Sequence, residues 1–206
     1  MKTLGITYIW YGMSDWDRII AERPEAVILN PESGPGQERS EDWAALVRKC
    51  QAVGIKVIGY VALGYLAKPL SVVLDEASKH KLWYNVDGIF WDETPTDAPL
   101  SSLRALHGYA RGKSKTGLSV FNPGTLPEKL YTYMVALPGS IWVTFEGSVG
   151  RYLQEVPQTK LYMSRQAHIV YDNAYGLDVH LLMSALRVGW GFVSQRGLPN
   201  PYNVWP

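Results

Sequence analysis

Two adjacent carboxylates, Asp92 and Glu93, directly follow a short apolar run at residues 86–91. An apolar run of this length that ends in turn residues is typical of a buried parallel strand. A third carboxylate, Glu146, follows the end of another such run. Because α/β enzymes carry their reacting groups at the carboxyl ends of parallel strands, these three acids are candidate catalytic residues.

The pattern suits general acid and nucleophilic catalysis by a pair of carboxylates. If Asp92 or Glu93 approaches Glu146 to about 5 Å, one group can attack an anomeric carbon while the other protonates the leaving oxygen, as in retaining glycosidases. Partial burial and a like-charged neighbour would raise one pKa enough to keep that acid protonated near neutral pH. The alternative is that the first two acids belong to an ordinary turn and that Glu146 is a solvated loop acid.

Aromatic side chains cluster at the same predicted strand ends. Sugar rings pack their apolar faces on flat aromatic rings, while sugar hydroxyls bind carboxylates and amides, so aromatic residues beside acids favour a carbohydrate site. About half of the aromatic residues are expected to pack in the core only, Trp142 in mid-strand among them. The aromatic candidates are Tyr8, Trp10, Tyr11, Tyr60, Tyr65, Trp91 and Trp142.

Short apolar runs alternate with longer amphipathic stretches along the whole chain, which predicts repeated βα units and a parallel sheet. Eight units most economically close into a compact (β/α)8 barrel, a single domain over residues 1–206, and an open doubly wound sheet is the alternative. Predicted strands are 4–10, 26–30, 56–61, 86–91, 117–121, 140–145, a segment within 160–170, and 190–194. Predicted helices are 14–21, 40–53, 69–83, 100–110, 126–134, 149–154 and 177–188.

Composition argues against several other classes of protein. Twenty Lys and Arg against nineteen Asp and Glu, without a basic run, indicate neither a nucleic-acid nor a membrane partner. No signal peptide and no apolar span of bilayer length are visible, so the chain as given is expected to be soluble, with no compartment assigned. Cys50 is expected to be a core residue, and the four histidines lack metal-site spacing, although His168 lies near a strand.

No phosphate-binding or dinucleotide-binding motif follows a predicted strand. We therefore expect neither a cofactor nor a metal ion. We expect a monomer that acts on a polysaccharide.

Five motifs in order resemble the spherulin-4-like (spherulation-specific) family. They are residues 54–61 followed by Gly64-Tyr65, then 86–93, 121–125, 145–147 and 199–202, so the resemblance spans nearly the whole chain. Each motif alone is weak, but five at strand ends are fairly specific. The chain departs from the family at the first strand, which often carries a proline before the tyrosine that corresponds to Tyr8.

The family is similar to glycoside hydrolase family 135, which implies a (β/α)8 barrel that cleaves α-1,4-linked galactosamine or N-acetylgalactosamine polymers. By this resemblance Asp92 is the nucleophile, Glu146 the acid/base and Glu93 a supporting acid, with exchanged roles for Asp92 and Glu93 as the alternative. A non-catalytic glycan-binding barrel and a hydrolase of another glycan, such as a peptidoglycan muramidase, also remain open. The resemblance implies that the groove is lined by Tyr8, Asn30, Tyr60, Tyr65 and Asn122. With Trp10 and Trp91, these form the predicted set of sugar-binding residues.

Overall fold

Eight parallel strands form a closed barrel in the computed structural model, which describes residues 1–113, 117–155 and 161–206. Each strand pairs with the next along the chain, and the last pairs with the first. The predicted barrel is therefore confirmed, and the open doubly wound sheet is excluded. The strands are β1 (Lys2–Gly5), β2 (Ala26–Leu29), β3 (Lys56–Ala62), β4 (Gly88–Asp92), β5 (Leu118–Phe121), β6 (Ile141–Ser148), β7 (Gln166–Tyr171) and β8 (Trp190–Val193).

Seven α-helices lie in the described part of the chain, one between each pair of consecutive strands. Ser40 caps the second helix, since the Ser40 side chain accepts a hydrogen bond from the Trp43 backbone N–H at 3.3 Å. Within the described residues, no helix combines the length and apolarity needed to cross a membrane. The helices are α1 (Asp15–Glu22), α2 (Glu41–Ala52), α3 (Leu70–Tyr84), α4 (Leu100–Lys113), α5 (Leu130–Ala136), α6 (Val149–Glu155) and α7 (Val179–Ala185).

The first strand differs most from its prediction, because it ends at Gly5 instead of extending through residues 6–10. Beyond Gly5 the chain bonds to other partners. The Thr7 hydroxyl donates to the Ile28 carbonyl, and the Tyr8 N–H donates to the Tyr202 carbonyl at 3.0 Å. The segment after β8 therefore lies over the end of β1, at the mouth of the barrel.

Side-chain alternation determines which strand residues reach the barrel interior. In β3, Gly59 faces outward against His80 of α3, whereas the next residue, Tyr60, faces inward and stacks on Phe90 of β4. In β4, Trp91 faces outward, where its indole N–H donates to the Ser119 hydroxyl at 3.1 Å. The interior face of β4 consequently ends in Asp92.

Candidate active site

Asn122, the residue after β5, joins two of the three predicted catalytic carboxylates. Its Nδ2 donates to Asp92 Oδ1 at 2.7 Å and to Glu146 Oε2 at 2.8 Å. Its Oδ1 accepts from the Gly124 N–H at 2.9 Å, which fixes the orientation of the amide group. Since both carboxylate oxygens contact one nitrogen atom, they lie within about 5.5 Å of each other, the sum of the two hydrogen-bond lengths.

The second oxygen of each carboxylate accepts a hydrogen bond from a tyrosine. The Tyr60 hydroxyl donates to Asp92 Oδ2 at 2.8 Å, and the Tyr202 hydroxyl donates to Glu146 Oε1 at 2.5 Å. The ring of Tyr8 lies between these tyrosines, edge to face with both, at centroid distances of 5.8 and 5.5 Å. The carboxylates are therefore held in place by the protein itself, before any ligand binds.

Burial raises the pKa of Glu146 above its ordinary value. Hydrogen bonds from Tyr202 and Asn122 oppose this shift, and the nearby charge of Asp92 adds to it. This arrangement provides a partly buried acid next to a second carboxylate.

Burial, together with the charge of Asp92, also raises the pKa values of Tyr8 and Tyr60. Burial and the charge of Glu146 do the same for Tyr202. The three hydroxyls therefore stay protonated near neutral pH and remain available as donors.

Glu93 lies outside the hydrogen-bond network of Asn122. Its backbone is left-handed, with φ +52°, and its side chain turns toward the 3₁₀ turn Gly64–Leu66. Its Oε2 accepts from the Gly64 N–H at 3.1 Å, and its carbonyl accepts from the Tyr65 N–H at 3.0 Å. Glu93 thus contacts the backbone of the loop that carries Tyr65, as a supporting acid would.

Most of the predicted sugar-binding residues line the mouth of the barrel. Tyr8, Trp10, Asn30 and Tyr60 line a common cavity of about 400 Å³, which we call the Asn30 cavity. Tyr65 lies beside Glu93 with 68% of its surface exposed. Asn30 also has a local role, because its Oδ1 accepts from the Gly34 N–H at 2.9 Å and stabilises the loop after β2.

The prediction that Trp91 binds sugar is wrong. Trp91 is fully buried between the barrel and the helices, because it precedes Asp92 and successive strand residues face opposite sides of the sheet. Trp142 packs in the same layer, stacked on Phe121 and Tyr133, as its mid-strand position predicts. Neither tryptophan can reach a ligand at the mouth.

Tyr202 is the main site residue that the sequence analysis did not assign. It lines a cavity of about 530 Å³ together with Tyr8, Glu146, Tyr171 and the segment 198–201, and we call this the Tyr202 cavity. Tyr202 ends the motif at residues 199–202, which belongs to the family resemblance. Nothing in the sequence indicated that a tyrosine 56 residues after Glu146 would bond to its carboxylate.

The remaining candidates for other chemistry lie apart from this site. His168 is buried, and its Nδ1 contacts the Tyr152 hydroxyl at 2.7 Å. Cys50 is buried in α2, where burial raises its thiol pKa to about 11. Within residues 1–113, 117–155 and 161–206, no group of three or more His, Cys, Asp or Glu side chains could hold a metal ion.

Several solved structures share this fold at low sequence identity. The glycoside hydrolase domain of PelA from Pseudomonas aeruginosa is 15% identical, with 98% of this chain and 99% of that chain covered and a TM-score of 0.52. Cyclic α-maltosyl-(1→6)-maltose hydrolase from Arthrobacter globiformis is 13% identical (100% and 71% covered, TM-score 0.56). The sialic acid aldolase of Ruminococcus gnavus is 14% identical (93% and 67% covered, TM-score 0.55). Because these barrels carry different activities, the likeness shows the fold alone.

No curated protein sequence matches the chain. The model of the spherulation-specific family 4 matches residues 6–206, which is almost the entire length. The five motifs at the strand ends lie within this match. The chain therefore belongs to the spherulation-specific family 4.

Proposed function

We propose that the protein is a retaining, endo-acting glycoside hydrolase. The observation that carries this proposal is the Asn122 amide, which donates to Asp92 and Glu146 at once and thereby limits the separation of their nearest oxygens to about 5.5 Å. Retaining enzymes hold their two carboxyl groups about 5 to 5.5 Å apart, whereas inverting enzymes need room for a water molecule between them.

The different surroundings of the two carboxylates support different roles. Glu146 has a raised pKa and is the acid/base, so it protonates the glycosidic oxygen of the leaving sugar. Asp92 attacks the anomeric carbon as that bond breaks, which forms a covalent glycosyl–Asp92 ester. Glu146, now a carboxylate, then takes a proton from a water molecule that attacks the same carbon, and Asp92 is released unchanged.

The proposed substrate is an α-1,4-linked polymer of galactosamine or N-acetylgalactosamine, as the resemblance implies. Charge supports this choice: the described residues that line the Tyr202 and Asn30 cavities include the carboxylate Glu32 and no lysine or arginine, and Asp92 is hydrogen-bonded to Tyr60 of the Asn30 cavity. Such a mouth favours a cationic sugar with free amino groups over an anionic one. The two cavities adjoin, since they share Tyr8 and Asn200, and this suits binding of a long chain across both with cleavage inside the chain.

The test is hydrolysis of an α-1,4-galactosamine polymer of defined acetylation, followed by mass spectrometry of the products. We expect oligosaccharides from the wild type and a rate lower by at least about 10²-fold for Asp92→Asn and Glu146→Gln. Proton NMR early in the reaction should show products with retained anomeric configuration. Asp75→Asn, an exposed aspartate of α3 that pairs with Lys79, is the matched control and should retain the wild-type rate.

Other outcomes would replace the proposal with one of its alternatives. Glycan binding that survives both active-site substitutions, with no new reducing ends from the wild type, would identify a non-catalytic binding barrel. Release of fragments from peptidoglycan but not from galactosamine polymers would identify a muramidase-like enzyme. Inverted products would leave the hydrolase but reject Asp92 as a nucleophile.

A further inference from the structure

Trp10, Tyr11 and Trp43 form an aromatic platform beside the mouth of the barrel. Trp10 is 52% exposed, which is unusual for so large an apolar side chain that is also well packed. The rings of Trp10 and Tyr11 lie 4.7 Å apart, and the buried Trp43 ring supports both edge to face at 5.8 and 5.5 Å. The platform is therefore held by three aromatic contacts, while about half of the Trp10 surface stays exposed.

The backbone beneath the platform is also fixed. The indole N–H of Trp16 in α1 donates to the Trp10 carbonyl at 3.1 Å. The ring of Trp16 packs edge to face on Trp43 of α2. Two helices thus hold the platform in place, and a ligand that stacks on it would lose little free energy in ordering the protein.

The platform and the carboxylate site line neighbouring cavities at the mouth of the barrel. It lines a further cavity of about 430 Å³, the Tyr11 cavity, which extends to residues 35–40. The Tyr11 cavity shares Trp10, Glu32 and Trp43 with the Asn30 cavity. The Asn30 cavity in turn shares Tyr8 and Asn200 with the Tyr202 cavity, so the three cavities form a row that runs from Glu146 to the platform.

We propose that Trp10 and Tyr11, supported by Trp43, form a distal subsite that stacks one pyranose unit of the polysaccharide whose cleaved bond lies between Asp92 and Glu146. This inference rests on the proposed function and adds a dependence on chain length. Only a chain long enough to fill the Asn30 cavity reaches the platform, and the stacking there strengthens the binding of long chains. Short oligosaccharides occupy the carboxylate site alone.

The test compares kcat/KM for long and short α-1,4-galactosamine oligosaccharides. We expect the wild type to prefer the long ones, and Trp10→Ala to lower the long-to-short ratio about tenfold, as the loss of one aromatic stacking contact predicts. Trp10→Phe keeps an aromatic ring and should restore most of the ratio. It also guards against a general loss of folding in Trp10→Ala, which circular dichroism would report.

Tyr131→Ala is the matched control, because Tyr131 is a comparably exposed aromatic residue on α5 and lines none of the three cavities. The long-to-short ratio of kcat/KM for Tyr131→Ala should equal that of the wild type. A wild-type enzyme without length preference, an unchanged ratio in Trp10→Ala, or an equal fall in Tyr131→Ala would each overturn the distal subsite while leaving the hydrolase intact. A wild type that cleaves no oligosaccharide of any length would overturn both proposals.

Discussion

At the scale of single residues, the hydrogen bond from Tyr202 to Glu146 adjusts the acid/base to its task. A hydroxyl that donates to a carboxylate stabilises its ionised form, so this bond lowers a pKa that burial has raised. We expect Tyr202→Phe to raise the pKa of Glu146 further and to move the alkaline limb of the kcat/KM profile to higher pH by about one pH unit. The pH dependence of kcat/KM locates this limb, and a ¹³C NMR titration measures the pKa of the Glu146 carboxyl group directly.

Tyr171→Phe is the control for that experiment. Tyr171 lines the same cavity and its ring contacts that of Tyr202 at 6.5 Å, but the hydroxyl hydrogen-bonded to Glu146 Oε1 is that of Tyr202. The alkaline limb of the Tyr171→Phe variant should therefore coincide with that of the wild type. If Tyr202→Phe left the limb in place, Tyr202 would be a packing residue with no influence on the acid.

Glu93 can be distinguished from the two reacting carboxylates by its contacts. Gln in its place keeps an oxygen that accepts from the Gly64 N–H, so the loop that carries Tyr65 stays in position. We expect Glu93→Gln to lower kcat/KM by about tenfold or less, against a loss of about 10²-fold or more for Asp92→Asn. Equal losses in steady-state kinetics would support the exchanged assignment, in which Glu93 attacks and Asp92 supports it.

At the scale of the elements, α3 docks on β3 through a side chain that requires a glycine beneath it. The His80 ring lies over Gly59, where an added Cβ would be 2.5 Å from the ring, and His80 Nε2 contacts the Tyr60 carbonyl at 2.8 Å. We expect Gly59→Ala to destabilise the protein by about 1–3 kcal/mol through overpacking. Urea denaturation measures the change in the free energy of unfolding.

Gly108 provides the opposite case in α4, since nothing lies within 4 Å of an added Cβ there and the residue is exposed. Gly108→Ala should stabilise the protein by roughly 0.5–1 kcal/mol because alanine loses less backbone entropy in a helix. A Gly59→Ala variant as stable as the wild type would mean that helix α3 is not held against β3 by this contact, and a loss of stability in Gly108→Ala would contradict the entropic argument for α4.

The strands and helices were predictable because each buries a face with a regular period. The alternation in β4 could even have excluded Trp91 once Asp92 was assigned to the mouth, since adjacent residues cannot share a face. The end of β1 and the role of Tyr202 were not predictable, because both depend on the Tyr8–Tyr202 backbone bond between the two ends of the chain. Local patterns carry no information about such a long-range contact.

At the scale of the whole molecule, closing the barrel buries histidines that must stay neutral. Burial lowers the pKa of His80 and of His168 to about 4, from an ordinary value of 6.5. Between these values the unfolded chain binds more protons than the folded one, so stability should fall as pH drops from about 6.5 to 4. Glu146 acts in the opposite direction, because its folded pKa is raised and its ionisation lowers stability as pH increases.

The contribution of His168 can be isolated because its partner is known. His168→Leu combined with Tyr152→Phe removes the ionising ring and also the hydroxyl that would otherwise lose its partner, so stability at neutral pH should change little. Between about pH 6.5 and 4, the free energy of unfolding of the double variant should fall less steeply with pH than that of the wild type. The difference should be about 1.4 kcal/mol per pH unit, which is the contribution of one proton. Denaturant unfolding at a series of pH values measures the slope. Tyr152→Phe alone keeps the histidine and should therefore keep the wild-type slope. An unchanged slope in the double variant would mean that His168 stays uncharged on unfolding or is already protonated in the folded protein.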